Sequence, residues 1–252
     1  MQRHETANSE APPSHFNFCI IDDTQYLLDS YALRYDVYCN ERHFLTPEGH
    51  PSKLEIDAFD DHAIHVGAIN LEGVLVGTLR LVLPSARGFP LFEHCELFNT
   101  YTDFANSPPP SSAEISRLAV SKSYRRRAND GLYDLASQED AVPSTDNEDE
   151  PMHRRHRPEI ILGLYKAMYQ VSKRRGITHW FAAMEKTLLR LLYRYRFAFN
   201  RIGPPVDYYG PVTPYLAEIA HIEAGIRQRC PEMFAEFVKG LELELVPAIV
   251  HK

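Results

Sequence analysis

Glu114 and Arg117 stand three apart on a short apolar run, Ala113 to Val120, that reads as a β-strand. A carboxylate in a semi-apolar cleft has a raised pKa, and Glu114, at the start of its strand, is the best candidate for a general base. It could equally be a structural partner for Arg117. Strict alternation puts Glu114, Ser116 and Leu118 on one face of the strand and Arg117 on the other. A second set, Arg34, Asp57, Asp60 and Arg80, combines two cations with two anions. These four can pair with one another and order the loop at 45–60. Alternatively, Arg34 or Arg80 binds a ligand carboxylate bidentately while Asp57 or Asp60 orients its ammonium. His62 and His65 lie three apart on a presumed strand, point to opposite faces and make a poor metal pair. His153 and His156 lie in a basic loop, and no metal is expected. Lys186, Arg190 and Arg194 recur at i, i+4 and i+8, a basic stripe on one helix face. Such a stripe is either a solvated surface or, with Arg154, Arg155 and Arg157 nearby in sequence, a dock for an acidic partner.

The elements that must position these residues follow from periodicity and punctuation. Asp22-Asp23-Thr24 offers N-caps for a helix running to about Glu41. His62 to Leu71 and Val74 to Leu83 form a hairpin around Glu72-Gly73, and Ala113 to Val120 is a further strand. Pro158 to Arg175 is a helix with Pro at its start and Gly176 after its end. Thr178 to Met184 reads as a buried strand, Thr187 to Arg196 as a helix and Phe197 to Ile202 as a strand. Val212 to Ile219 fits strand or helix, and about 220–240 is helical with a break at Pro231. The order, helix then antiparallel strands then alternating strand and helix, predicts a mixed α/β domain without internal repeats.

The 252 residues suffice for a full core, and 44% apolar with 24% charged residues excludes wholesale disorder. Residues 1–16 read as a disordered tail without a secretory h-region, and 17–252 as a single domain carrying an acidic, mobile insertion at about 129–157. Eight acids and no Lys or Arg fall within 130–150; without them, 26 acids face 27 bases, so the net charge of −7 is local. That balance, and the lack of a binding motif, argue against nucleic acid. No run approaches the ~20 apolar residues of a membrane span. Cys19, Cys39, Cys95 and Cys230 form no Cys-x-x-Cys pair, so a cytoplasmic protein with reduced thiols is expected. Neither G-x-G-x-x-G nor a Walker loop is present.

Four stretches are informative in combination: Arg34-Tyr-Asp-Val-Tyr38, Glu55-Ile-Asp57-Ala-Phe-Asp60, Val76-Gly-Thr-Leu-Arg80-Leu and Glu114-Ile-Ser-Arg117-Leu-Ala-Val120. Together they resemble the acyl-homoserine-lactone (autoinducer) synthases and the N-acyl amino acid synthases, acyltransferases of the GNAT fold. The spacing and the Asp-His-x-x-His stretch look closest to the acyltransferases associated with PEP-CTERM/exosortase gene clusters. The resemblance implies a central, mostly antiparallel sheet flanked by helices, with Val212 to Ile219 as the last strand. It implies catalysis by Glu114 and Arg117, and a substrate site involving Arg34, Tyr38, Phe44, Asp57, Asp60 and Arg80. A bulge, general in GNAT central strands, would bring Glu114 and Arg117 to the same cleft, and its freed N–H groups could form an oxyanion hole.

Two departures narrow the expectation. Where acetyl-CoA-binding GNAT domains carry a Gly-rich pyrophosphate loop, this chain has Lys122-Ser-Tyr-Arg125-Arg-Arg-Ala-Asn-Asp-Gly131. That favours a donor held elsewhere, on acyl carrier protein docked by Arg154, Arg155, Lys186, Arg190 and Arg194, with acyl-CoA the alternative donor. The tryptophan common in autoinducer synthases is replaced near Phe44, which favours an amino acid or similar amine as acceptor over adenosylmethionine. The expected activity is acyl transfer from a thioester to an amine, with no tightly bound cofactor. The alternatives are a non-catalytic acyl-binding or regulatory module and an acyl-homoserine-lactone synthase.

Overall fold

The computed structural model describes residues 15–106, 108–124 and 156–248. Arg154, Arg155, most of the acidic insertion and all but the end of the N-terminal tail lie outside the described residues. Eight strands form the sheet: β1 (Phe16–Ile20), β2 (Ala63–Asn70), β3 (Leu75–Val82), β4 (Ser112–Val120), β5 (His179–Met184), β6 (Asn200–Arg201), β7 (Val206–Asp207) and β8 (Pro211–Glu218). The helices are α1 (Thr24–Tyr35), α2 (Pro90–His94), α3 (Thr102–Asn106), α4 (His156–Arg174), α5 (Lys186–Arg194), α6 (Ile219–Arg229) and α7 (Pro231–Val238). Strand order is β1-β2-β3-β4-β5-β8-β6, with β7 pairing β8. Every pairing is antiparallel except β4 with β5. A parallel pair needs a long crossover, and α4 lies within it. No helix among the described residues is long and apolar enough to cross a membrane.

Local chemistry sets the helix boundaries. Asp23 caps α1 by accepting hydrogen bonds from the N–H groups of Gln25 (2.8 Å) and Tyr26 (3.1 Å). At its far end α1 widens into a π-helical turn, Asp36–Glu41, which buries Val37, Tyr38 and Cys39. Gly176, at φ 66°, ends α4, and the Ile177 N–H donates back to the Ser172 carbonyl (2.9 Å). The α4 face carrying Ile160, Ile161, Leu164, Tyr165 and Met168 is fully buried against Val66, Leu79 and Leu81 of the sheet. The opposite face, carrying His65 and Arg80, lies under α1, whose buried residues include Ser30 and Arg34. A second core, built on Phe89, Leu91 and Phe181, covers that face near α2.

Several elements differ from the sequence reading. β1, assigned no element there, is an edge strand paired with β2, and its first residue, Phe16, expected in the disordered tail, is buried. The span between β3 and β4, to which the sequence reading gave no element, holds α2 and α3. The strand expected over Phe197 to Ile202 shrinks to β6, because Phe197 and Phe199 turn into the core as anchors. Val212 to Ile219 is a strand through Glu218, as the resemblance implied.

Gly163 fixes how closely α4 approaches β1, since a Cβ there would lie 2.1 Å from the Phe18 ring. Alanine in a helix interior ordinarily gains up to about 1 kcal/mol over glycine. Here overpacking should win, so Gly163→Ala should destabilise the protein by about 1–3 kcal/mol. Chemical denaturation checks the sign; a gain in stability would show that Phe18 swings away freely.

Candidate active site

Beneath the sheet, three guanidinium groups close on three carboxylates. Arg34 pairs with Glu55 and, through both terminal nitrogens, with Asp60 (2.7 and 3.1 Å). Arg80 donates to Asp57 (2.6 Å), Asp60 (2.9 Å) and the Ser116 hydroxyl (3.0 Å). Arg117 donates to Glu55 (3.1 Å) and Asp57 (2.8 Å). All six are buried except Asp57, whose side chain is 23% exposed. Burial alone would raise the Asp60 pKa, but hydrogen bonds and charge from Arg34, with the charge of Arg80, hold it well below the carboxylate range. Burial keeps the neighbouring His65 neutral, its pKa lowered to about 4. With His65 uncharged, the six charges sum to zero, the condition under which so many can be buried.

The network fixes an irregular point in β4. Thr78 pairs with Ala119 and Arg80 with Ser116, so Arg117 and Leu118 together face the single residue Leu79. This is the β-bulge, and Arg117 sits in it at φ 53°, a left-handed conformation uncommon for a residue with a side chain. Alternation is broken there, and Arg117 comes to the same face as Glu114.

On its other side β4 pairs with β5 only from Ser112↔His179 to Ile115↔Ala182. Past that point the two strands no longer pair with each other, and a cleft open to solvent lies between them. One part of its lining is polar: Glu114, Arg117, Tyr208 and Tyr209. Another is apolar, from Ile115, Leu118, Met184 and Leu188. The Arg117 guanidinium lies 4.5 Å from the centre of the Tyr209 ring, within cation–π range. Tyr208 stacks on His94 with ring centres 4.1 Å apart. Burial raises the pKa of the Tyr208 hydroxyl well above its ordinary value, against the opposing pull of the nearby Arg117 charge.

Glu114 is 1% exposed and accepts a hydrogen bond from the Leu91 N–H (2.8 Å). Burial pushes its pKa up to about 7; the Leu91 N–H and the charges of Arg80 and Arg117 pull it back only in part. A carboxyl group poised there can take a proton near neutral pH and give it up again.

Glu114, Arg117, Tyr38 and Phe44 thus come together around the cleft. Tyr38 spends its hydroxyl on the Leu118 carbonyl (3.2 Å). Arg34, Asp57, Asp60 and Arg80 adopt the mutual ion pairing that was one of their two readings, and they lie behind the cleft wall rather than on it. Lys186, Arg190 and Arg194 are exposed on α5. Among the described residues, no three or more His, Cys, Asp or Glu side chains are placed to hold a metal ion. Sequence reasoning missed Glu55 as the link between Arg34 and Arg117, although it stands in the same acidic stretch as Asp57 and Asp60. It also missed Tyr208 and Tyr209, whose one signal was a pair of aromatics beside Gly210 just before the last strand. Removing one partner of a buried ion network leaves a charge uncompensated, so Glu55→Gln should cost about 3–5 kcal/mol of stability. Urea unfolding measures it; a loss below about 1 kcal/mol, the range of a surface pair, would show that the network carries little.

The family model described as the acetyltransferase (GNAT) domain matches residues 33–133, a span containing every member of the network and Glu114. No curated protein matches the chain. Among solved structures, the AHL synthase LasI is 15% identical, with 92% of this chain and 98% of that one covered at a TM-score of 0.56. FeeM, an N-acyl amino acid synthase from uncultured soil microbes, is 12% identical, covering 83% and 94% at a TM-score of 0.55. BjaI, a CoA-dependent acyl-homoserine lactone synthase solved with SAM and isopentyl-CoA, is 18% identical, covering 91% and 97% at 0.52. At such identities the likeness is one of architecture: a mixed, mostly antiparallel eight-stranded sheet flanked by helices, which is the GNAT fold.

Proposed function

We propose that this chain is an N-acyltransferase that moves a fatty acyl group from a thioester to the amine of an amino acid or similar small acceptor, giving an N-acyl amino acid or related signal lipid. One observation carries the reading: Glu114, buried, with its pKa near 7, borders a cleft that has both a polar and an apolar lining. The acceptor's ammonium gives a proton to Glu114. The free amine then attacks the thioester carbonyl carbon, whose π electrons move to oxygen. A backbone N–H at the bulge of β4 is the donor assigned to that oxyanion. Collapse re-forms the carbonyl, breaks the C–S bond and releases the thiolate, which leaves as the thiol with the second nitrogen proton.

The functions named for LasI, FeeM and BjaI support acyl transfer as the class. The order of the charged motifs supports the narrower likeness to exosortase-associated acyltransferases. An amine acceptor without an adenosyl group is supported by Phe44, which lines the cleft with the Arg42 guanidinium 4.8 Å from its ring centre. For the donor we favour acyl carrier protein, because Lys186, Arg190 and Arg194 form an exposed basic stripe with no ion-pair partner among the described residues.

With product detected by mass spectrometry, Glu114→Gln should lower turnover by about 10²–10⁴-fold. In the wild type, kcat/KM should rise with pH through about 7 as Glu114 ionises, and the variant should lose that limb. A raised carboxyl pKa favours the folded chain below its ordinary value of 4.5, an advantage lost as pH rises through 7. Glu114→Gln should therefore be no less stable than wild type at pH 8, which separates catalysis from folding. An unchanged rate would remove Glu114 from the mechanism.

Docking of an acidic carrier protein on exposed charges is screened beyond ~8–10 Å at physiological salt. Reversing Arg190 and Arg194 to Glu should raise KM for the acyl-carrier substrate severalfold, more so at low salt, and leave any acyl-CoA reaction nearly untouched. Equal effects on both donors would contradict carrier docking.

A further inference from the structure

Tyr165 stands on α4 and lines the cleft in the company of Ile115, Leu118, Ala182, Met184 and Leu188, all apolar. The residue is fully buried, and its ring packs edge-on against Phe197 at 5.5 Å between centres. Its hydroxyl has no hydrogen-bond partner among the described residues. Among the described residues Tyr165 is the one side chain of the cleft lining with a buried, unbonded polar atom; Tyr38 bonds the Leu118 carbonyl, Glu114 the Leu91 N–H, Ser116 and Arg117 lie within the network, and Glu185 bonds Arg42. Phenylalanine would fill the same space without a buried, unbonded hydroxyl. A buried polar group without a partner calls for an explanation, and this one belongs to a residue that lines the cleft.

Resting on the acyltransferase reading, we infer that Tyr165 selects acyl chains that carry an oxygen, as a hydroxyl or a ketone, at the carbon brought beside it. The Tyr165 hydroxyl is already shielded from water, and an unsubstituted chain beside it would leave it unbonded. A chain oxygen would accept its hydrogen bond. The discrimination expected from one satisfied against one orphaned buried hydroxyl is about ten- to a hundredfold in affinity. Tyr165 is a specificity residue here; Glu114 performs the proton transfer whichever chain is bound.

The test measures binding by calorimetry to the full chain. The probes are unreactive octyl thioethers of pantetheine, attached to acyl carrier protein or to CoA, unsubstituted or with one hydroxyl at successive chain carbons. In the wild type one hydroxylated probe should bind at least tenfold more tightly than the unsubstituted one. Tyr165→Phe should abolish that preference, bind the unsubstituted probe as well or better, and melt no lower than wild type. Equal binding of all probes by the wild type, a preference that survives in Tyr165→Phe, or a fall of several degrees in Tm would each overturn the assignment. The last would mean that the hydroxyl has a structural partner. If the unsubstituted probe binds and is not outdone, only the Tyr165 assignment fails. If no probe binds in either form, the acyltransferase reading falls and takes this inference with it.

Discussion

Six charges, five of them buried, three on arginines and three on carboxylates, hold one another in place behind the cleft, and the geometry of the site depends on that closure. The participants come from α1, the loop before β2, β3 and β4, so forming the network docks four separate pieces of chain. Its cost is large, because each ion must leave water, and it is met only if all partners arrive. Arg117 shows what the closure achieves. Its left-handed backbone is unfavourable by roughly 1–2 kcal/mol, and its bonds to Glu55 and Asp57 hold it there. The bulge that results is what sets Glu114 and Arg117 on the same side of β4.

The sheet contributes the second half of the site. β4 and β5 are paired for four residues and then part. Beyond that point β4 has no strand alongside it on this edge, a place where an extended ligand can lie. Glu114 sits just before the point of parting, deep enough for burial to outweigh the nearby positive charges in setting its pKa. The two requirements pull against each other: Arg80 and Arg117 favour a charged carboxylate, and desolvation disfavours it. Their balance near neutrality is what a reversible proton acceptor needs.

Much of this was readable in the residues. α4 was legible because Pro158, an apolar stripe and Gly176 agree on one helix, and β2–β3 because Glu72-Gly73 sits between two apolar runs. The short α2 and α3 were not, since five residues carry no period and their Pro-rich surroundings read as loop. β1 was hidden for a related reason: an edge strand owes its conformation to β2 rather than to its own pattern. In the site, the charged residues could be named but not paired. Arg34 and Glu55 are separated by 21 positions, and nothing local says that Glu55 bridges Arg34 to Arg117. The bulge defied the alternation of β4 and was foreseen only through the family resemblance. Tyr208, Tyr209 and Tyr165 were lost among 14 tyrosines, because their role lies in where the cleft opens.

Everything proposed for the site turns on Glu114 being a carboxyl group that changes charge near neutral pH. Isotope-edited infrared or carbon NMR titration of the labelled glutamate carboxyls, with Glu114→Gln as the subtraction, observes that charge directly and needs no substrate. The account predicts a Glu114 transition at about pH 7, well separated from those of the exposed glutamates. A transition near the ordinary 4.5 would contradict it, since a carboxylate already charged and as weakly basic as one in water has no special capacity to deprotonate an ammonium in the cleft.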